Sequence, residues 1–163
     1  NGHYGICLSY SHNNTLVNNN CSNNAIVGIE TGDAHYNTIT NNTCNRNNLG
    51  MFIDDSNLCT IVNNDCFHND VGIELSNSSH NVVADNDCSN NIICIHIYES
   101  SSNMVFNNTC TCYTEHDFYF DDPDTITEMT GEFDSVVPLL FGSAGIIVLG
   151  ARRRLGTRIR KFD

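Results

Sequence analysis

Five near-copies of one short motif set the frame for this chain. NNNCSNN occupies Asn18–Asn24, NNTCNRNN Asn41–Asn48, NNDCFHN Asn63–Asn69, DNDCSNN Asp85–Asn91 and NNTC Asn107–Cys110. Their cysteines, Cys21, Cys44, Cys66, Cys88 and Cys110, recur at steps of 23, 22, 22 and 22 residues. A fixed step of this length marks a repeat array, in which a unit buries its apolar face only by stacking on the next.

Superposing the copies gives columns. One reads Ile6, Ile29, Met51, Ile73, Ile95; two residues on stand Leu8, Thr31, Ile53, Leu75, Ile97; two before stand Tyr4, Val27, Leu49, Val71, Ile93. This period-two alternation predicts a strand with one buried face. Leu16, Ile39, Ile61, Val83 and Val105 mark a second short strand and the cysteines a third, with turn clusters between, so each repeat is read as three strands and three bends. Successive strands would run parallel, roughly 4.8 Å apart. The expected fold is all-β: a right-handed parallel β-helix of about five coils of 22–23 residues, over residues 1–120.

Asparagine, at 26 of 163 residues, fits such a stack. It tolerates left-handed backbone angles and bonds turn backbone. Asn19, Asn42, Asn64, Asn86 and Asn108 are expected to form one ladder of side chains between coils, and Asn24, Asn47, Asn69 and Asn91 a shorter one. Gly5, Gly28, Gly50 and Gly72 share a column that disfavours a side chain, and Cys94 breaks it. Because the first residues already belong to the repeat, the chain is expected to continue a longer protein.

Charge is segregated. Six of seven basic residues lie between Arg152 and Lys161, so residues 1–151 carry 18 acids against Arg46 alone. That balance argues against a nucleic-acid partner, which needs a basic footprint. It fits a solvated exterior, or one that meets cations.

The repeat Asn37-Thr-Ile-Thr-Asn-Asn-Thr-Cys-Asn-Arg-Asn-Asn-Leu-Gly-Met-Phe-Ile resembles those of NosD-like periplasmic copper-binding proteins, the CASH-domain β-helices of carbohydrate-binding proteins and sugar hydrolases. The resemblance covers about residues 1–120 and implies an extracytoplasmic location and a lean toward saccharides. It supplies no catalytic residue, since the shared positions are those of core and ladder.

Residues 121–135 read as an acidic linker. Residues 136–151 (VVPLLFGSAGIIVLGA) are sixteen uncharged, mostly apolar residues followed by Arg152-Arg153-Arg154. They read as a transmembrane or sorting-signal helix with residues 152–163 as a basic cytoplasmic tail, by the rule that basic flanks stay inside. The order of apolar helix and Arg cluster also resembles PEF-CTERM-type sorting tails. There Gly131-Glu132-Phe133 stands for the short motif, with Gly in place of that family's Pro.

The five repeat cysteines fill one inward column and are read as stacked free thiols, since parallel stacking directs the side chains wrongly for a disulfide dihedral. Cys7 and Cys59 have no evident mate, and Cys110-Thr111-Cys112 places two thiols on one strand face, a poor start for tetrahedral metal binding.

Chemistry must come from columns that stacking brings together. Asp33, Asp55, Asn77 and Glu99 fall at one bend. The carboxylates of Asp33, Asp55 and Glu99 can hold a hard cation of the calcium type or form a solvated acidic edge. An outward column runs Cys7, Glu30, Phe52, Glu74, His96. Phe52 offers a ring for a sugar to stack on, with Glu74 and His96 as neighbouring ligand-binding groups. Glu74 and His96 are also the weak catalytic candidates, as an acid–base pair, against a plain cross-strand polar pair. His3, His12, His35, His68, His80 and His116 show no ligand spacing. Sequons at Asn13, Asn20, Asn41, Asn77 and Asn107 permit glycosylation outside the cell, though so Asn-rich a chain makes several by chance.

The leading expectation is therefore a non-catalytic, cell-surface β-helix module for saccharide or surface-protein contact, anchored in the membrane through residues 136–151. It requires no cofactor, and calcium is the one ion a column suggests. The alternative is a polysaccharide lyase, hydrolase or epimerase acting on the β-helix face or on upstream coils. Periplasmic copper handling is third.

Overall fold

The computed structural model describes residues 2–111 in full and, beyond them, the backbone of 118–120, 126–133 and 137–138. The chain is a parallel β-helix. One long side stacks β1 (Tyr4–Ser9), β3 (Val27–Gly32), β5 (Leu49–Asp54), β7 (Val71–Ser76), β9 (Ile93–Tyr98), β11 (Phe118–Phe120) and β13 (Val137–Pro138) in that order. A second side stacks β2 (Thr15–Val17), β4 (Thr38–Thr40), β6 (Thr60–Val62), β8 (Val82–Ala84), β10 (Asn103–Cys110) and β12 (Ile126–Phe133). All these pairings are parallel, and the register follows the repeat: Ile29 sits against Met51, Met51 against Ile73 and Ile73 against Ile95.

The third side, expected as a strand through the cysteines, carries single bridges instead. They link Asn20, Thr43, Asp65, Asp87 and Thr109 in sequence. Left-handed corners such as Asn41 and Arg46 flank it, and in the last described coil β10 runs on through it to Cys110. Ile126–Phe133, inside the stretch read as a linker, pairs as β12 with β10. Of the apolar stretch 136–151, only Val137–Pro138 is described, as β13; the expected helix and the basic tail otherwise lie outside the described residues.

The interior is a set of straight apolar columns. Ile29, Met51, Ile73 and Ile95, then Ile53, Leu75 and Ile97, then Ile39, Ile61, Val83 and Val105 are fully buried. The expected alternation fails at one step. Tyr4 is 44% exposed and Leu49, Val71 and Ile93 are half-buried, while the glycine column turns inward in their place. The reason is a close approach between coils. A Cβ on Gly28 would lie 2.5 Å from the Gly50 carbonyl oxygen and 2.9 Å from the Cys44 Cβ. At these positions glycine lets the backbone come that near.

Corners take eight of the 25 described asparagines. Nineteen non-glycine residues have φ between 45° and 62°, and they fall in four columns, so each coil turns at four left-handed residues rather than three bends. Asn and Asp supply eleven of them, as expected of the side chains that best tolerate this region.

The remaining asparagines build ladders. Asn64 Oδ1 accepts the Asn42 backbone N–H at 2.9 Å and Asn42 Nδ2 at 3.1 Å. Its own Nδ2 donates to the Ile39 carbonyl and to Asn86 Oδ1, both at 2.9 Å. The same pattern links Asn19 to Asn42 and Asn86 to Asn108. Asn24, Asn47, Asn69 and Asn91 form the second ladder through backbone N–H to Oδ1 bonds of 2.7–2.8 Å. Two further ladders are present. Asn81 and Asn103 accept from the coil before, with Cys59 standing in that column, and Ser56, Ser78 and Ser100 use hydroxyls in the same way.

Cys21, Cys44, Cys59 and Cys66 are buried free thiols, and Cys7 is an exposed one. Thr31 is fully buried between Leu8 and Ile53, and its hydroxyl finds no hydrogen-bond partner. Thr31→Val replaces that hydroxyl by a methyl of like size, so it should raise stability by about 1–2 kcal/mol, read as a later urea midpoint at constant m-value. A lower midpoint would mean that the hydroxyl is bonded after all.

Candidate functional site

The outward face of the long sheet holds the site. Period-two geometry turns Cys7, Glu30, Phe52, Glu74 and His96 to solvent, and parallel register sets them in a line: Cys7 beside Glu30, Glu30 beside Phe52, Phe52 beside Glu74, Glu74 beside His96. Glu74 Oε2 lies 3.3 Å from His96 Nδ1, with both side chains about one-fifth exposed. A carboxylate at that distance orients the imidazole. The structure thus brings together Phe52, Glu74 and His96, in the order that the column predicts.

It also adds Tyr98, which the sequence reading passed over. Tyr98 is 40% exposed, its ring lies 6.5 Å from that of His96, and its hydroxyl donates to Glu99 Oε1 at 2.7 Å. The signal was present: Tyr98 is two residues beyond His96 on a strand and so shares its face. Phe52 and Tyr98 give two aromatic surfaces flanking a carboxylate–imidazole pair, on a sheet rather than in a closed cavity. At the far end of the line Cys7 is held toward its protonated thiol. Partial burial first, then the hydrogen bond and charge of Glu30, push its thiol up.

The acidic column behaves differently. Asp33, Asp55, Asn77 and Glu99 are corner residues with φ of 49°, 45°, 48° and 45°, which explains their chemistry as backbone preference. Asp33 Oδ1 lies 3.2 Å from His35 Nε2, and Glu99 is engaged by Tyr98. Among the described residues no three His, Cys, Asp or Glu side chains converge so as to hold a metal ion.

Two histidines do meet. His12 and His35, one coil apart, stack with ring centroids 5.0 Å apart and planes within 5°. His12 Nδ1 accepts the His35 backbone N–H at 2.9 Å, and His35 Nδ1 accepts that of Asn57 at 3.0 Å. They are rungs of a ladder that Asn57 and Ser79 continue. The one-coil step between them carried this signal in the sequence.

The model of the NosD family, described as periplasmic copper-binding protein, matches residues 1–120. The chain belongs to the NosD family. No curated protein matches this NosD-family chain. Among solved structures it is similar to a mutant of the periplasmic alginate epimerase AlgG, with a TM-score of 0.57 and 18% identity. That likeness covers 92% of this chain and 47% of the other, so the chain spans about half the length of that enzyme and shares its fold.

Copper, which the family description implies, does not fit the donors present among the described residues. The stacked imidazoles spend Nδ1 on backbone N–H groups, and parallel rings 5.0 Å apart direct their remaining nitrogens side by side rather than toward one ion. The thiol column is sealed inside the coils, and hydrogen bonding to Cys44 followed by burial pushes Cys21 far above the ordinary thiol range.

Proposed function

We propose that this NosD-family chain is an extracytoplasmic β-helix module that binds a neutral or cationic saccharide on the outward face of its long sheet, without turning it over. The observation that supports it is the row Phe52, Glu74, His96 with Tyr98 alongside. It combines rings for the apolar face of a sugar with a charged acceptor and an imidazole for its hydroxyls. The apolar stretch 136–151 with its following arginines supports a membrane segment that keeps the coils outside.

A second reading, epimerase or lyase chemistry on a uronate polymer, has the likeness to AlgG and the Glu74–His96 pair in its favour. Taking a proton next to a carboxylate, however, needs a cation or donor set to stabilise the developing charge. Arg46 is the one Arg or Lys among the described residues, and it sits at an exposed corner in another column. The acidic face would also repel a polyanion. Non-catalytic binding is therefore the stronger reading.

A panel of neutral, cationic and uronate oligosaccharides tests both. Binding of a neutral or cationic member with no change in its mass or linkage supports the module. There, Glu74→Gln should weaken affinity about tenfold, by loss of a hydrogen bond to a charged group of about 1.5 kcal/mol. Product formation abolished by Glu74→Gln or His96→Ala would replace it with the enzyme.

A further inference from the structure

Asparagine does two jobs in this fold, at ladders and at corners, and all five sequons stand off the ladders. Asn13, Asn20, Asn41, Asn77 and Asn107 are all exposed, whereas four of the other twenty described asparagines are. Sequons scattered by chance through an Asn-rich chain would fall on buried rungs as readily as on corners. Here none does. From this segregation we infer that the corner asparagines Asn13, Asn41 and Asn107 are N-glycosylation acceptors, modified by an oligosaccharide carried on a polyprenyl diphosphate. The inference rests on the extracytoplasmic location proposed above.

Local geometry supports it site by site. Asn13, Asn41, Asn77 and Asn107 stand at left-handed corners with φ of 59°, 55°, 48° and 54°, which turn the side chain outward. Among the described residues their side-chain amides make no hydrogen bond, so the nitrogen is open to reaction. Thr15 and Thr109, the hydroxyl residues of the first and last sequons, are exposed as well. Asn20 and Asn77 differ in their hydroxyls. Asn20 Oδ1 accepts the Ser22 N–H at 3.2 Å, and the Ser22 hydroxyl accepts the Asn45 N–H at 3.1 Å and donates to the Thr43 carbonyl at 3.4 Å. In the Asn77 sequon, the Ser79 hydroxyl accepts the Ser101 N–H at 3.0 Å and lies 3.2 Å from the Ser101 hydroxyl. In both, the hydroxyl that a sequon must offer is committed.

The chemistry balances without any further reagent. The amide nitrogen forms a bond to the anomeric carbon and loses one proton. The bond from that carbon to the diphosphate oxygen breaks, and the lipid diphosphate leaves with the electron pair. No ladder bond is spent, and none of the acceptors lies in the row of Glu30, Phe52, Glu74 and His96, so glycans would leave that face open. Asn41 and Asn107 share one corner column three coils apart, roughly 14 Å at strand spacing, which is room for two chains on one ridge.

Peptide mapping by mass spectrometry of the full chain purified from its native host decides this, together with protease accessibility in intact cells. The expected result is an accessible protein with hexose- or hexosamine-bearing peptides at two or more of Asn13, Asn41 and Asn107, and bare Asn20 and Asn77. An accessible protein modified at one of these three sites or none overturns the inference and leaves the location standing. A glycan at Asn20 or Asn77 with the other three bare overturns the geometric argument. A protein protected from protease inside the cell overturns both the inference and the location.

Discussion

Asn64→Ala should lower the stability of the β-helix by about 3–5 kcal/mol, a large share of the 5–15 kcal/mol typical of a native domain. The side chain is fully buried and closes four hydrogen bonds across three coils. Truncation leaves the Asn42 backbone N–H and the Ile39 carbonyl without those bonds in a place water does not reach, each costing about 1–3 kcal/mol. Asn64→Asp should be at least as damaging, because a carboxylate cannot donate to either acceptor and brings a buried charge. The control is Asn63→Ala, one residue away at an exposed corner with φ of 55°. Its cost is the left-handed angle alone, about 1–2 kcal/mol. Urea unfolding of the three variants measures the contrast. Equal losses for Asn63→Ala and Asn64→Ala would mean that the ladder contributes nothing beyond turn conformation.

Alkali should unfold the protein steeply, and through its core. In Cys21 the hydrogen bond to Cys44 and then burial raise the thiol. In Cys44 and Cys66 a neighbouring thiol pulls the other way, but burial and the charges around them leave both above their ordinary value of 9.0. Below pH 9 the folded and unfolded chains both keep these protons, and stability does not respond. Above it the unfolded chain releases them while the folded chain cannot, so unfolding gains and stability falls as pH rises. Each such thiol contributes a slope of about 1.4 kcal/mol per pH unit, and three together about 4. Urea midpoints at pH 8, 9.5 and 10.5 under reductant should therefore collapse. Cys44→Val, which removes one proton site, should flatten the fall by about a third. A midpoint independent of pH up to 10.5 would show that the thiols are not held protonated.

The coils were legible because stacking forces like residues to one depth, and a 22-residue period then lines up Met51 with Ile73 and Asn64 with Asn86 on the page. What stayed hidden depended on interactions the columns do not name. In Asn41-Asn42 one asparagine turns a corner and the next is a rung, and their letters are the same; only backbone angle and burial separate them. The glycine column was legible as a place that disfavours a side chain; what a Val-Gly-Ile step hid was that the column turns inward, where the coils approach closely. The acidic corner column looked like a cation site for a similar reason. Asp33 and Asp55 suit left-handed backbone as well as they suit calcium. For the candidate face, the alignment of Phe52, Glu74 and His96 followed from register, while Tyr98 was missed by stopping at one column.

The central claim is that the ladders build the solenoid and the outward face of the long sheet carries the function. Oligosaccharide binding to Phe52→Ala and to Thr40→Ala, on the outward faces of the two different sheets, tests it most directly. Phe52→Ala should lose affinity about tenfold, the effect of removing an aromatic anchor worth about 1.4 kcal/mol, with its melting transition kept, and Thr40→Ala should bind as the native chain does. Equal affinity for Phe52→Ala and the native chain, or a loss confined to Thr40→Ala, would place the function elsewhere.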